Sequence, residues 1–251
     1  GKFLLKGAML FAVWDAIPHR PSRDLDLLGF GSTELLDIET SFRDIVQTPV
    51  PPDGLVFDPE SVLAEPIREV HAYGGVRVRL IGWLGKAEVP VQIDIGSGDA
   101  VTPDAEGIHF PVLLDHPAPW IRAYPIYTVV AEKVEAATVL KEVNSRMKDF
   151  YDLWFLAGRF EFDGTILRKA IEATFARRKT PLPHPPEPFA EKLVHDPAKQ
   201  TQWAGFLRRN RLPGEMKTFP AIVEDISRFV GPVLRTEVSR KRWYPVRGWE
   251  D

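Results

Sequence analysis

The spacing of apolar residues changes period along the chain, and each change marks an element. Phe3–Lys6 reads as a short strand, Gly7 as a turn, and 8–15 as a helix of good formers. Arg20-Pro21-Ser22-Arg23-Asp24-Leu25-Asp26-Leu27 then sets two acids among apolar residues, which predicts a strand over 25–28. Side chains at i and i+2 of a strand share a face, about 6–7 Å apart. Asp24 and Asp26 therefore project together, while Leu25 and Leu27 anchor the opposite face. Over 34–47 the period becomes helical, with Leu35, Ile38, Phe42 and Ile45 on one stripe and Ser32 or Thr33 as cap. Pro49, Pro51 and Pro52 end that helix.

The period then falls to two. Residues 75–80 and 89–95 alternate, and Gly85-Lys86 between them predicts a hairpin. In the second strand Val91, Ile93 and Ile95 share one face, leaving Gln92 and Asp94 on the other, and Gly96-Ser97-Gly98-Asp99 stops it. A third acid thus faces away from the apolar layer, as Asp24 and Asp26 do. Beyond Pro125 the pattern is helical: 126–143, 146–157 with Asn144 or Ser145 as cap, 163–178, and helices near 187–194, 197–210 and 219–230. Residues 180–188 carry five prolines and read as a semi-rigid connector. A mixed sheet with early helices followed by a helical region is an α+β architecture, with domains over 1–125 and 126–251.

Composition narrows the classes. At 251 residues the chain can bury a substantial core. A net charge of −3 argues against indiscriminate binding of polyanions. The absence of cysteine excludes disulfides, thiolate–zinc sites and a cysteine nucleophile, and fits a cytoplasmic protein. No apolar run approaches the ~18–20 residues of a membrane span. The histidines lack metal-ligand spacing. Gly1-Lys2-Phe3 is neither an initiator Met nor a signal peptide, so an upstream segment is expected.

The candidate chemistry lies in the acids. Two carboxylates on one strand face repel unless a cation sits between them, and oxygen ligands favour Mg²⁺. A solvated strand edge, or ion pairs to Arg20 or Arg23, would also accommodate them. Lys133 lies on the long helix beside Val130, Val134 and Ala137, where the plain alternative is a surface lysine beside Glu132. Lys148 and Asp152 stand at i,i+4, and Asp149 and Asp152 at i,i+3, so all three can be neighbours. The tail Arg240-Lys241-Arg242-Trp243-Tyr244 has a composition that can hold single-stranded RNA, or a Trp that packs into a groove. The runs Arg177-Arg178-Lys179 and Arg208-Arg209 fit a basic surface or a solvated helix face equally well.

Five motifs occur in order: Leu5-Lys6-Gly7-Ala8; Arg20-x-Ser22-x-Asp24-Leu25-Asp26; Gln92-Ile93-Asp94-Ile95-Gly96; Glu132-Lys133; and Lys148-Asp149-x-x-Asp152-Leu153. Together they resemble the AbiEii/AbiGii nucleotidyltransferase toxins, a branch of the polymerase-β-like nucleotidyltransferases, over roughly residues 3–180. The resemblance implies a nucleotidyltransferase core in 1–125, with the helical domain 126–251 completing the active site. It implies transfer of a nucleotidyl group from an NTP to an acceptor such as a tRNA 3′ end, as the toxin of a pair with a cognate antitoxin protein. Asp24 and Asp26 would hold Mg²⁺, as a two-metal site, and Asp94 would either join the metal or act as base on the acceptor hydroxyl. Gly7, Arg20 and Ser22 would contact the nucleotide, and Lys133 the triphosphate. Asp149, Lys148 and Asp152 would steer the nucleotide or Lys133, Asp149 as the nearer. Many members follow the glycine with a hydroxyl residue, and this chain has Ala8. Two other readings stay open: a nucleotide- or antitoxin-binding homologue without activity, and a transferase of small molecules such as antibiotics.

Overall fold

A computed structural model describes residues 2–15, 20–22, 24–67, 74–112, 114–140, 144–183, 194–212 and 217–251. The chain divides into two units, one of Gly1–Asp99 with Glu106–Tyr124 and one of Ala100–Ala105 with Pro125–Asp251.

The first unit is built on a seven-stranded sheet. Its strands are β1 (Phe3–Lys6), β2 (Leu25–Gly29), β3 (Leu55–Ile67), β4 (Gly75–Leu84), β5 (Ala87–Ser97), β6 (Glu106–His109) and β7 (Trp120–Ala123), in the order β3-β4-β5-β2-β1-β7-β6. The pairs β2–β5 and β1–β7 are parallel and the others antiparallel. The hairpin between β4 and β5 turns at Gly85-Lys86, as its sequence predicts. The segment expected as a helix over 8–15 is instead a 3-10 turn, Gly7–Leu10, followed by one α turn, α1 (Phe11–Trp14).

Alternation decides which face of the sheet is dry. Val76, Val78 and Leu80 of β4 and Ile93 and Ile95 of β5 are buried with Val62 and Ala64 of β3. Ile38 and Phe42 of α2 (Leu35–Val46) join them in one cluster. Burying each large apolar side chain contributes about 1.5–3 kcal/mol, which holds α2 on this face. Residues one step out of phase, Arg77, Arg79, Gln92, Asp94 and Asp26, consequently face the other way. The expected cap of α2 shifts by a residue or two: Glu34 is the N-cap and Ser32 Oγ accepts from its N–H.

Strand β3 was not visible in the residue pattern because Pro59, Pro66 and four polar residues interrupt its alternation, and the structure absorbs them with a register shift between Asp58 and Leu63. Its backbone is held from α2, where Glu39 accepts from Ala64 N–H and Arg43 donates to Val62 O.

The second unit is helical with a small sheet. Its helices are α3 (Ile126–Leu140), α4 (Met147–Arg159), α5 (Gly164–Arg178), α6 (Pro197–Arg209) and α7 (Phe219–Leu234). Asp163 caps α5 by accepting from Ile166 N–H, and Asn144 Oδ1 accepts from Arg146 N–H ahead of α4. Most of the helix expected over 187–194, and 184–188 of the proline connector, lie outside the described residues. Strands β8 (Phe162–Asp163), β9 (Arg242–Tyr244) and β10 (Gly248–Glu250) form a three-stranded sheet that the helical reading did not anticipate. The Trp of the basic tail is part of this core. Trp243 is buried, donates to Ala157 O and packs with Phe229 and Trp249.

Candidate active site

Strand register gathers the acids of the first unit into one rung. Asp26 of β2 stands beside Asp94 of β5 in parallel pairing, at a strand separation of about 4.8 Å. Arg77 of β4 pairs with Asp94 on one side, and Lys6 of β1 pairs with Asp26 on the other. Across four strands the rung reads Arg77, Asp94, Asp26, Lys6. Two like charges directly opposite each other destabilise a sheet, and here a cation closes each end of the rung. Asp24 precedes β2 on the same face, where Gln92 Nε2 donates to its Oδ1 at 2.9 Å.

Each acid has a different environment. Asp94 accepts two parallel bonds from Arg77, Nε to Oδ1 and Nη2 to Oδ2, both at 2.8 Å. The side chains are 29% and 21% exposed, so this fork is only partly screened by water. The bonds to Asp94 hold the Arg77 guanidinium above its ordinary value against its partial burial, and the charges of Asp94, Asp24 and Glu65 add to this. Lys6 reaches Asp99 at 2.8 Å and lies over the Tyr124 ring. Arg77 and Lys6 were not singled out from sequence. Arg77 was legible only as one of two polar residues out of phase with Val76 and Val78.

Gly7 adjoins this rung. Its φ of +72° lies in the left-handed region, and a Cβ there would overlap the Asp26 carboxylate. The backbone of the 3-10 turn therefore sits against the acid that begins the site, and only glycine permits that approach. Ser22 is exposed and its Oγ donates to Asp24 O at 3.4 Å, while Arg20 Nη1 makes a 3.4 Å contact with Pro21 O. Arg23 lies outside the described residues.

A second charged cluster lies in the other unit. Lys133 Nζ donates to Asp149 Oδ1 at 2.9 Å and to Asp152 Oδ2 at 2.7 Å. Asp152 is 0% exposed and Lys133 14%, and Arg146 contacts Asp149 at 3.2 Å. Lys133 is therefore no surface lysine: its ammonium is fixed by two acids of α4. Lys148 does not share this cluster, since it is exposed on the outer side of α4 while its neighbours turn inward. Arg178 of the basic run is likewise committed, to Glu135 at 2.9 Å and Glu132 at 3.4 Å.

The donor chemistry suits a hard divalent cation. Among the described residues no group of three or more His, Cys, Asp or Glu forms a cation cage by itself. Mg²⁺ does not require one, because it commonly takes one or two carboxylates and completes its octahedron with water and substrate phosphates. Asp26 of β2 and Asp24 just before it, on one face, match that requirement.

The fold has relatives. Over 94% of the chain and 86% of the other, the structure resembles a crystal structure of a candidate nucleotidyltransferase from H. pylori, with a TM-score of 0.51 and 16% identity. JHP933 from Helicobacter pylori matches over 94% of this chain and 83% of its own, with a TM-score of 0.50 and 16% identity. No curated protein matches the chain in sequence. The α+β architecture is thus shared with these two structures. The model of the nucleotidyl transferase AbiEii toxin family, a type IV toxin–antitoxin system, matches residues 1–225. The chain belongs to this family and is a nucleotidyltransferase. Among the described residues no helix is long and apolar enough to cross a membrane.

Proposed function

We propose that this toxin nucleotidyltransferase transfers a nucleotidyl group from an NTP to an RNA acceptor, such as a tRNA 3′ end, with Mg²⁺ bound. The reading also places it in the cytoplasm and pairs it with a cognate antitoxin. The observation that carries the chemistry is the rung in which Asp26 stands beside Asp94 with Asp24 on the same face.

In this reading Asp24 and Asp26 hold the cation. Once bound, it offsets the negative charge that develops as an acceptor hydroxyl displaces pyrophosphate. The turn at Gly7 brings backbone rather than a side chain against the Asp26 carboxylate. Arg20 and Ser22 flank the same strand entry and supply a guanidinium and a hydroxyl. Lys133 keeps the triphosphate role that the family resemblance gives it, with Asp149 and Asp152 orienting its ammonium.

Incubation with labelled NTPs, Mg²⁺ and total RNA tests the proposal. Label should enter RNA with the wild type and not with Asp26→Ala. Label in protein alone would contradict the RNA acceptor, and nucleotide binding without any transfer would contradict the reaction.

A further inference from the structure

Two exposed side chains of β7, Trp120 and Arg122, have no part in the function proposed above. Strand register says which face carries them. Leu5 of β1 is the parallel partner of Ala123, and both are buried, so Ala123 and Ile121 belong to the apolar face. Trp120 and Arg122, one step out of phase, stand on the opposite face with Lys6, Asp26 and Asp94. The Lys6 ammonium over the Tyr124 ring, at 5.2 Å, marks that same face two residues past Arg122. The acidic rung therefore continues across β1 into a stripe along β7.

The stripe is built as a stacking platform. Trp120 is 62% exposed, and its indole lies over Gly107 of β6. A Cβ at Gly107 would come within 2.5 Å of the indole Cζ2 and 3.0 Å of its Nε1. Gly107 has no positive φ, so the indole rather than the backbone requires glycine there. The ring thus rests on backbone with its outer side in solvent. His109, directly opposite Trp120, is exposed as well. Among the described residues Arg122 makes no ion pair or hydrogen bond, and its guanidinium is available to a ligand. A supported aromatic ring beside a cation is what single-stranded nucleic acid uses, the ring for a base and the cation for its phosphate.

We propose that Trp120 and Arg122 form a subsite for a single-stranded stretch of the RNA acceptor, one base stacked on the indole and a phosphate on the guanidinium. The inference rests on the functional reading above. From Asp26 the subsite is two strands over, about 10 Å, and four residues back along β7 from Tyr124, about 13 Å. It therefore holds a nucleotide a few positions before the reacting end and sets how the strand enters. Both residues are positioning residues, since neither reaches the reacting atoms. A paired acceptor keeps its bases inside the duplex and offers none to the ring, so the subsite selects an unpaired end.

Fluorescence anisotropy of the full chain with two labelled RNA hairpins, one blunt and one with a single-stranded 3′ overhang, tests this. The wild type should prefer the overhang. Trp120→Ala should weaken overhang binding by about fivefold to a hundredfold, the range of one base–aromatic stack, and leave blunt binding within about twofold. Trp120→Phe should keep overhang binding within about threefold of wild type, because any aromatic ring can stack a base. Arg122→Gln should weaken overhang binding and flatten its salt dependence by about one phosphate contact. In label transfer, Trp120→Ala should raise the KM for overhang RNA and leave the KM for NTP unchanged, a split that general loss of structure would not give. If Trp120→Ala binds the overhang as the wild type does, the inference is overturned while the functional reading stands. A rise in the KM for NTP instead would put the incoming base on the ring and overturn it too. So would loss of a wild-type dimer in Trp120→Ala with RNA binding unaltered, because the ring would then face a second copy of the chain. If the wild type labels no RNA, the functional reading falls and takes the inference with it. Arg122→Gln decides the matter if Trp120→Ala fails to fold.

Discussion

The two charged clusters use the same residue types in opposite ways. On the sheet, strand register sets Asp26 beside Asp94, and cations on the flanking strands β4 and β1 bound the row. Among the helices, Lys133 is enclosed by Asp149 and Asp152, and Asp152 has no exposed surface. The first arrangement keeps like charges adjacent on a half-exposed face, where a ligand can relieve them. The second satisfies its charges internally, so its acids hold a lysine in place. Adjacency of like charge is costly to folding and useful to binding; an enclosed pair of opposite charges is costly to break by removing one partner. Substitutions in the two clusters should therefore differ in what they cost stability.

The largest stability effect is expected at Asp152. Asp152→Ala removes one of the two acids that hold Lys133, leaving Asp149, and should destabilise by about 1–3 kcal/mol, measured by urea unfolding. A loss under about 1 kcal/mol, the scale of an exposed pair, would break the contrast. Next comes Gly7→Ala, where a positive φ and the collision with Asp26 coincide. It should cost more than about 1 kcal/mol and abolish transfer as well, since it joins backbone strain to displacement of a site acid. Asp26→Asn should shift stability by less than about 1 kcal/mol in either direction while removing transfer. A large drop in its Tm would show that the acid is a structural element of the sheet.

The smallest effect is a pH dependence away from both clusters. Glu39 is held below its ordinary value of 4.5, chiefly by the Ala64 N–H it accepts, with burial opposing and Arg43 assisting. A depressed folded value means its stabilisation is present above the unfolded value and lost as pH falls through the folded one. The Glu39→Gln protein should therefore lose less stability than wild type between pH 5 and more acid conditions, a window about the ordinary value of 4.5. Parallel acid limbs for the two proteins would contradict the clasp between α2 and β3.

Much of the first cluster was legible because strand period is a local property. The two-residue spacing of Asp24 and Asp26, and the phase of Asp94 against Ile93 and Ile95, fix the acids to one face before any fold is known. Their lateral order is a product of register, so Arg77 opposite Asp94 and Lys6 opposite Asp26 were not readable. In the helical unit, spacing put Lys148, Asp149 and Asp152 within mutual reach. Packing then turned Asp149 and Asp152 toward Lys133 and left Lys148 in solvent. Strands β3, β6, β7 and β8–β10 were missed for a related reason: short or proline-interrupted strands gain their stability from partners distant in sequence.

The central claim is that the acidic face of β2 and β5 carries nucleotidyl transfer. Its most direct test pairs two readings on one variant, label transfer from an NTP to RNA and the thermal midpoint of Asp26→Asn. Transfer should fall by at least about a hundredfold, the scale of losing one electrostatic contact to the transition state, with the midpoint nearly unchanged. Transfer at the wild-type rate by a folded Asp26→Asn protein would contradict the account.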